Sequence, residues 1–195
     1  MCQFLCRLKS DSLLATTIMD EEVRRKITRA RAQLIMHRPF FGYLACYLTP
    51  KEDSNLSMKT TGVDGQYLYY DPDYIRELDM EQLQGLIAHE VSHVAFGDLW
   101  RRGVREPLRW NIGSDIVRNV MLIGEGFKLP PGVLMVDAPR DDMEEVRKLS
   151  VEEVYEKIKV KKVKGSKGGE GGSKGTITLP GGDTDVGGDL LDDHD

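Results

Sequence analysis

His89-Glu90-Val91-Ser92-His93 decides the reading of this chain. On an α-helix, histidines at this spacing lie about one turn apart on one face, so both imidazoles can reach one metal ion. Glu90 then sits roughly 100° around the helix from His89 and ~60° from His93, close enough to take a proton from a water at that ion. Imidazole nitrogens suit zinc (Zn2+), and a catalytic zinc site uses about three protein ligands with one position left for water. Leu83, Ile87, Val91 and Val94 form an apolar stripe, with Gln82, Leu86, His89 and His93 on the stripe beside it. This pattern predicts an amphipathic helix from Met80 to about Phe96, with Gly97 just past its end. The plain alternative is a helix whose histidines only bond to neighbours, and a third ligand is what separates the two readings.

Asp115 is that candidate. After the turn-like stretch from Gly103 to Pro107, a second helical segment runs from about Leu108 to Leu122. Asp115 and Asn119 project from one face of it, far enough along the chain for the first helix to end and a carboxylate to come back. Asp115 could instead be a capping or solvated carboxylate, but Ile112, Ile116 and Val120 flank it and argue for burial. Glu125, in a loop between Gly124 and Gly126, is a rival ligand. Asn119 could accept a hydrogen bond from the ring N–H of His89 or His93, which would fix the tautomer that offers its other nitrogen to zinc.

The stretch from His37-Arg38-Pro39-Phe40-Phe41 to Ser150-Val151-Glu152-Glu153-Val154-Tyr155 resembles the metallopeptidase domain that often precedes a von Willebrand factor A-like domain and occurs in phages and prophages. The landmarks are Pro39-Phe40, Asp64-Gly65 before Tyr67-Leu68-Tyr69-Tyr70-Asp71-Pro72, Ala88-His89-Glu90 with His93, Trp110-Asn111-Ile112 leading to Asp115 and Asn119, and Pro130-Pro131-Gly132. The resemblance covers roughly residues 20 to 160. It implies a zincin-like fold with His89, His93 and Asp115 as metal ligands and Glu90 as general base. Many members of that family carry a His soon after the motif, where this chain has Asp98. The third His of the metzincins, ten residues after the first, is replaced here by Leu99.

The expected fold class is α+β: zincin-like, mainly helical, with a small sheet packed beside the HExxH helix. Leu56 to Thr61 and Gln66 to Tyr70 read as strands of a hairpin turning at Asp64-Gly65. Zincin-like peptidases usually place an edge strand beside the metal helix, where an extended substrate adds backbone hydrogen bonds. Tyr67, Leu68, Tyr69 and Tyr70 are the candidates for that strand. Ahead of the hairpin, Asp20 opens a helix with Glu21 and Glu22 in its first turn. Val23, Ile27, Ala30 and Leu34 recur at helical spacing, and Pro39 ends the pattern.

Three regions follow: an N-terminal extension over residues 1–19, the metallopeptidase-like domain over 20–160, and a tail over 161–195. The tail holds ten of the 20 glycines and few apolar side chains, with lysines first and aspartates at the end, a composition that reads as flexible. A net charge of −5 gives no reason to expect nucleic-acid binding, and no apolar run approaches the ~20 residues a membrane span needs. No secretory h-region stands near the start, and three cysteines make no disulfide framework. Cys46 reads as a core residue, and the chain as cytoplasmic, in the host cytoplasm if phage-encoded. A von Willebrand A-like partner, if there is one, is not in this chain. The function expected is zinc-dependent hydrolysis of peptide bonds, with a peptide or protein as substrate. The alternative is a non-catalytic zinc-binding adaptor.

Overall fold

The helix that carries the histidines is started by its own first turn. The Asp79 side chain accepts a hydrogen bond from the Gln82 backbone N–H at 2.8 Å, and the Gln82 side chain accepts one from the Asp79 N–H at 2.9 Å. Such a capping box satisfies N–H groups that a bare helix end leaves without partners. The helix runs Met80–Ala95, and the chain leaves it through Gly97, whose φ of 72° is a left-handed conformation that glycine adopts without strain.

The computed structural model describes residues 21–53, 61–133, 135–137, 140–160, 175–179 and 182–187. In chain order its elements are α1 (residues 21–37), α2 (Pro39–Ala45), β1 (Thr49–Glu52), β2 (Thr61–Val63), β3 (Tyr67–Tyr70), α3 (Pro72–Glu77) and α4 (Met80–Ala95). Then come α5 (Asp98–Arg101), α6 (Pro107–Gly124), β4 (Met135–Asp137), α7 (Arg140–Val146), α8 (Val151–Lys157), β5 (Ile158–Val160), β6 (Gly175–Leu179) and β7 (Gly182–Gly187). The fold is α+β and mainly helical. Among the described residues no helix is long and apolar enough to cross a membrane. The extension over 1–19, Asp20 and residues 56–60 of the expected first strand lie outside the described residues.

The first helix stops at residue 37, just before Pro39 as expected, and Pro39 then starts a second helix. It occupies the first turn of α2, where its missing N–H costs nothing. α2 and the turn after it expose Phe40, Tyr43, Tyr47 and Cys46, so Cys46 is a surface residue and not the core residue its apolar neighbours suggested. Only Gly42, Ala45 and Leu48 of this stretch turn fully inward.

The first sheet has the order β1-β3-β2, with β1 parallel and β2 antiparallel to β3. The expected turn at Asp64-Gly65 is present, and Gly65 has a φ of 93°. Tyr67–Tyr70 is the middle strand, hydrogen-bonded on both sides, so its backbone has no free edge for an extended peptide. The strand packed on α4 is β2. A second, antiparallel sheet was not anticipated, with the order β4-β7-β6-β5. Two of its strands fall in the stretch whose composition reads as a tail. Thr176-Ile177-Thr178-Leu179 is a β-branched, alternating run that the glycines around it mask.

Two apolar clusters hold the helices. One gathers Val23, Ile27 and Leu34 of α1, Val63 and Leu68 of the sheet, and Leu83, Leu86, Ile87 and Val91 of α4. The other gathers Trp110, Ile112, Ile116 and Val120 of α6 with Val151 and Val154 of α8. Burying each such side chain contributes about 1.5–3 kcal/mol. α4 therefore belongs to one cluster and α6 to the other, and the two helices meet between them.

Two buried helical glycines test this packing. A Cβ on Gly85 would lie 2.2 Å from the Lys128 carbonyl oxygen, whereas one on Gly113 would meet nothing nearer than 3.7 Å. Gly85→Ala should lower stability by about 1–3 kcal/mol through overpacking. Gly113→Ala should leave it unchanged or raise it by up to ~1 kcal/mol, the helix-propensity gain. Urea unfolding measures both, and equal effects would contradict the close approach of α4 to the chain at Lys128.

Candidate metal centre

The α4–α6 contact is made by polar side chains. His89, Glu90 and His93 from α4 and Asp115 and Asn119 from α6 all have no solvent exposure. The two imidazoles stand edge to face, with ring centroids 4.5 Å apart and planes at 77°. Their Nε2 atoms are 2.9 Å apart. Asp115 Oδ1 lies 3.2 Å from Nε2 of His93 and 3.6 Å from Nε2 of His89. One ligand atom from each of His89, His93 and Asp115 falls within 4.8 Å of the others, so this trio could hold a metal ion. Helical spacing places the histidines, and α6 brings the carboxylate to them. α6 itself starts at Pro107, where the Glu106 side chain accepts the Arg109 N–H at 2.7 Å.

The hydrogen bonding is conspicuously incomplete. Neither carboxylate oxygen of Asp115 receives a hydrogen bond among the described residues, and His89 Nδ1 and Glu90 Oε2 also lack partners there. Buried carboxylates without donors are costly, so a group that remains in this state invites a functional explanation. Burial opposes ionisation of Asp115, yet the adjacent imidazoles prevail and hold its carboxyl well below the ordinary carboxylate range. For Glu90 the balance is reversed. Burial pushes its carboxyl up, against the pull of both imidazoles and of a hydrogen bond that the Thr61 hydroxyl donates to Oε1 at 2.5 Å.

Asp98 is a partner that the sequence reading did not find. Its Oδ2 lies 3.1 Å from His93 Nδ1, and both its oxygens accept hydrogen bonds from Arg118, each at 2.7 Å. Burial alone would raise the Asp98 carboxyl, but Arg118 and His93 bring it down to about 2. Trp110 donates its indole N–H to the Asp98 backbone oxygen at 2.9 Å. The available signals were indirect: an acid just after the helix-ending Gly97, and an arginine one turn beyond Asp115. Thr61 carried no signal, because its link to Glu90 depends on sheet packing. Asn119 is buried one turn beyond Asp115, but it is not the expected acceptor for an imidazole N–H: His93 Nδ1 faces Asp98, and His89 Nδ1 has no partner among the described residues. Glu125 is exposed and pairs with Arg147 at 3.1 Å, away from the trio.

A family described as "Putative metallopeptidase domain" has a model that matches residues 22–187. No curated protein and no solved structure matches the chain.

The bare carboxylate yields a stability prediction. A divalent metal that binds only the folded protein, present at about 100 times its Kd, adds about 2.7 kcal/mol. Asp115→Asn should abolish this metal-induced rise in melting temperature. In metal-free protein the same variant should cost less than Ile112→Ala, for which a core truncation implies about 2–5 kcal/mol. Differential scanning calorimetry with and without metal checks both, and an undiminished rise in Asp115→Asn would remove Asp115 from the ligand set.

Proposed function

The chain belongs to the family described as a putative metallopeptidase domain, and on that premise we propose that it is a zinc-dependent peptidase with His89, His93 and Asp115 as ligands and Glu90 as general base. The observation that carries the reading is the convergence of two imidazole Nε2 atoms and a carboxylate that receives no hydrogen bond among the described residues. Ligand atoms about 2.0–2.1 Å from a tetrahedral zinc stand roughly 3.3 Å from one another. The three pairs here are 2.9, 3.2 and 3.6 Å apart, which brackets that value. With three protein ligands, a fourth position remains for water, the arrangement of catalytic rather than structural zinc sites.

Zinc held there would acidify its water and polarise the peptide carbonyl. Glu90 does the proton work. Oε1 is engaged by Thr61, and Oε2 has no partner among the described residues. Oε2 therefore takes the proton from the attacking water as its oxygen bonds to the carbonyl carbon. The same proton then passes to the leaving amine as the C–N bond breaks. Thr61 keeps the carboxylate from rotating, so the oxygen left free is the one that accepts. A purely structural zinc site would have no use for a buried acid next to its first histidine, which disfavours the adaptor alternative.

Glu90→Gln should keep stoichiometric metal and lose about 10²–10⁴-fold in cleavage of a peptide library. Thr61→Val should keep KM and lower kcat, with Thr61→Ser restoring most of the loss. Metal binding without any cleavage by the wild type would favour an adaptor, and full cleavage by Glu90→Gln would take Glu90 out of the mechanism.

A further inference from the structure

The two histidines are held differently. His93 is engaged at both ring nitrogens, Nε2 toward Asp115 and Nδ1 toward Asp98, whereas His89 Nδ1 has no hydrogen-bond partner among the described residues. A neutral imidazole carries one N–H and one lone pair, and an ionised carboxylate only accepts. With Asp98 at Nδ1, the hydrogen sits on Nδ1 and the lone pair is directed from Nε2.

Asp98 has little freedom to turn away. The planar fork of Arg118 spans both its oxygens at 2.7 Å, and its backbone carbonyl is held by the Trp110 indole. Arg118 is itself 5% exposed and stacks on the Phe96 ring, 4.3 Å from the centroid. Arg118 also follows Asp115 on α6, so one helix supplies both a candidate ligand and the clamp on the residue that aims another. A fork of two parallel hydrogen bonds fixes orientation as well as charge, which a lysine could not do.

From this geometry we propose that Asp98 and Arg118 form one positioning unit that fixes His93 as an Nε2 ligand, so that metal affinity depends on Arg118 acting through Asp98. The proposal rests on the reading of the centre as a metal site. Arg101, whose guanidinium comes only within 3.8 Å of Asp98 and is otherwise engaged with Glu152, lies at the margin of the unit.

The test is zinc affinity of the full chain, measured by competition with a chromophoric chelator. Asp98→Asn and Arg118→Met should each bind zinc about 10–100-fold more weakly. Since they act as one unit, the double variant should be little weaker than the weaker single variant. Arg118→Lys should recover little affinity, and Arg101→Gln should change it by no more than about threefold. Melting temperatures of the metal-free variants separate the alternatives. A purely structural role would lower them and leave zinc affinity of the folded protein unchanged, which overturns the proposal. Should the variants fail to fold, nitrogen-15 spectra of zinc-loaded wild type still decide. A protonated Nδ1 with metal at Nε2 of His93 supports the unit, and metal at Nδ1 overturns it. Failure of the underlying reading looks different: wild type would bind no zinc, or His89→Ala would bind it as tightly.

Discussion

The carboxylate of Asp115 lies fully buried between two imidazoles and receives no hydrogen bond among the described residues, and the contact between α4 and α6 is organised around it. Taking an ion of this kind out of water costs several kcal/mol before any pairing. Two apolar helices could have met here at no such cost, since each already belongs to an apolar cluster. The fold instead keeps a seam of histidine, glutamate, aspartate and asparagine between the clusters. A divalent cation would balance that arrangement, and local rules broken in this way are expected at functional sites.

The rest of the structure holds the seam in place. The Asp79 capping box and Gly97 define the helix on which the histidines stand. The apolar stripe of α4 anchors it against α1 and the first sheet, while α8 anchors α6 from the other side. Thr61 joins β2 to Glu90, and Asp98 joins the start of α5 to His93 and to α6. Glu90 and His93 are thus each tied to a separate element of the scaffold. Such supporting contacts are what hold reactive groups in a fixed geometry.

Much of the centre was legible because it obeys a short-range rule. The spacing of His89, Glu90 and His93 has meaning only on a helix, and the stripe of Leu83, Ile87 and Val91 independently specifies one. Asp115 was legible as a helical acid flanked by apolar residues. Asp98 and Thr61 were not, because they reach the centre through a chain reversal and a sheet contact that no local period encodes. The hairpin turn at Asp64-Gly65 could be read from its residue types, but the strand order could not. β1 contains Pro50, which weakens any strand signal, and its parallel pairing with β3 makes Tyr67–Tyr70 the centre of the sheet. Composition misled in one place. The glycines around Thr176 to Leu179 hid two strands that pair with β4 and β5.

The most direct test of the metal centre is anomalous diffraction at the zinc edge from crystals of zinc-loaded protein. One strong peak is expected about 2.0–2.2 Å from His89 Nε2, His93 Nε2 and an Asp115 carboxylate oxygen. A peak elsewhere, or one that excludes Asp115 in favour of another residue, would contradict the proposed centre.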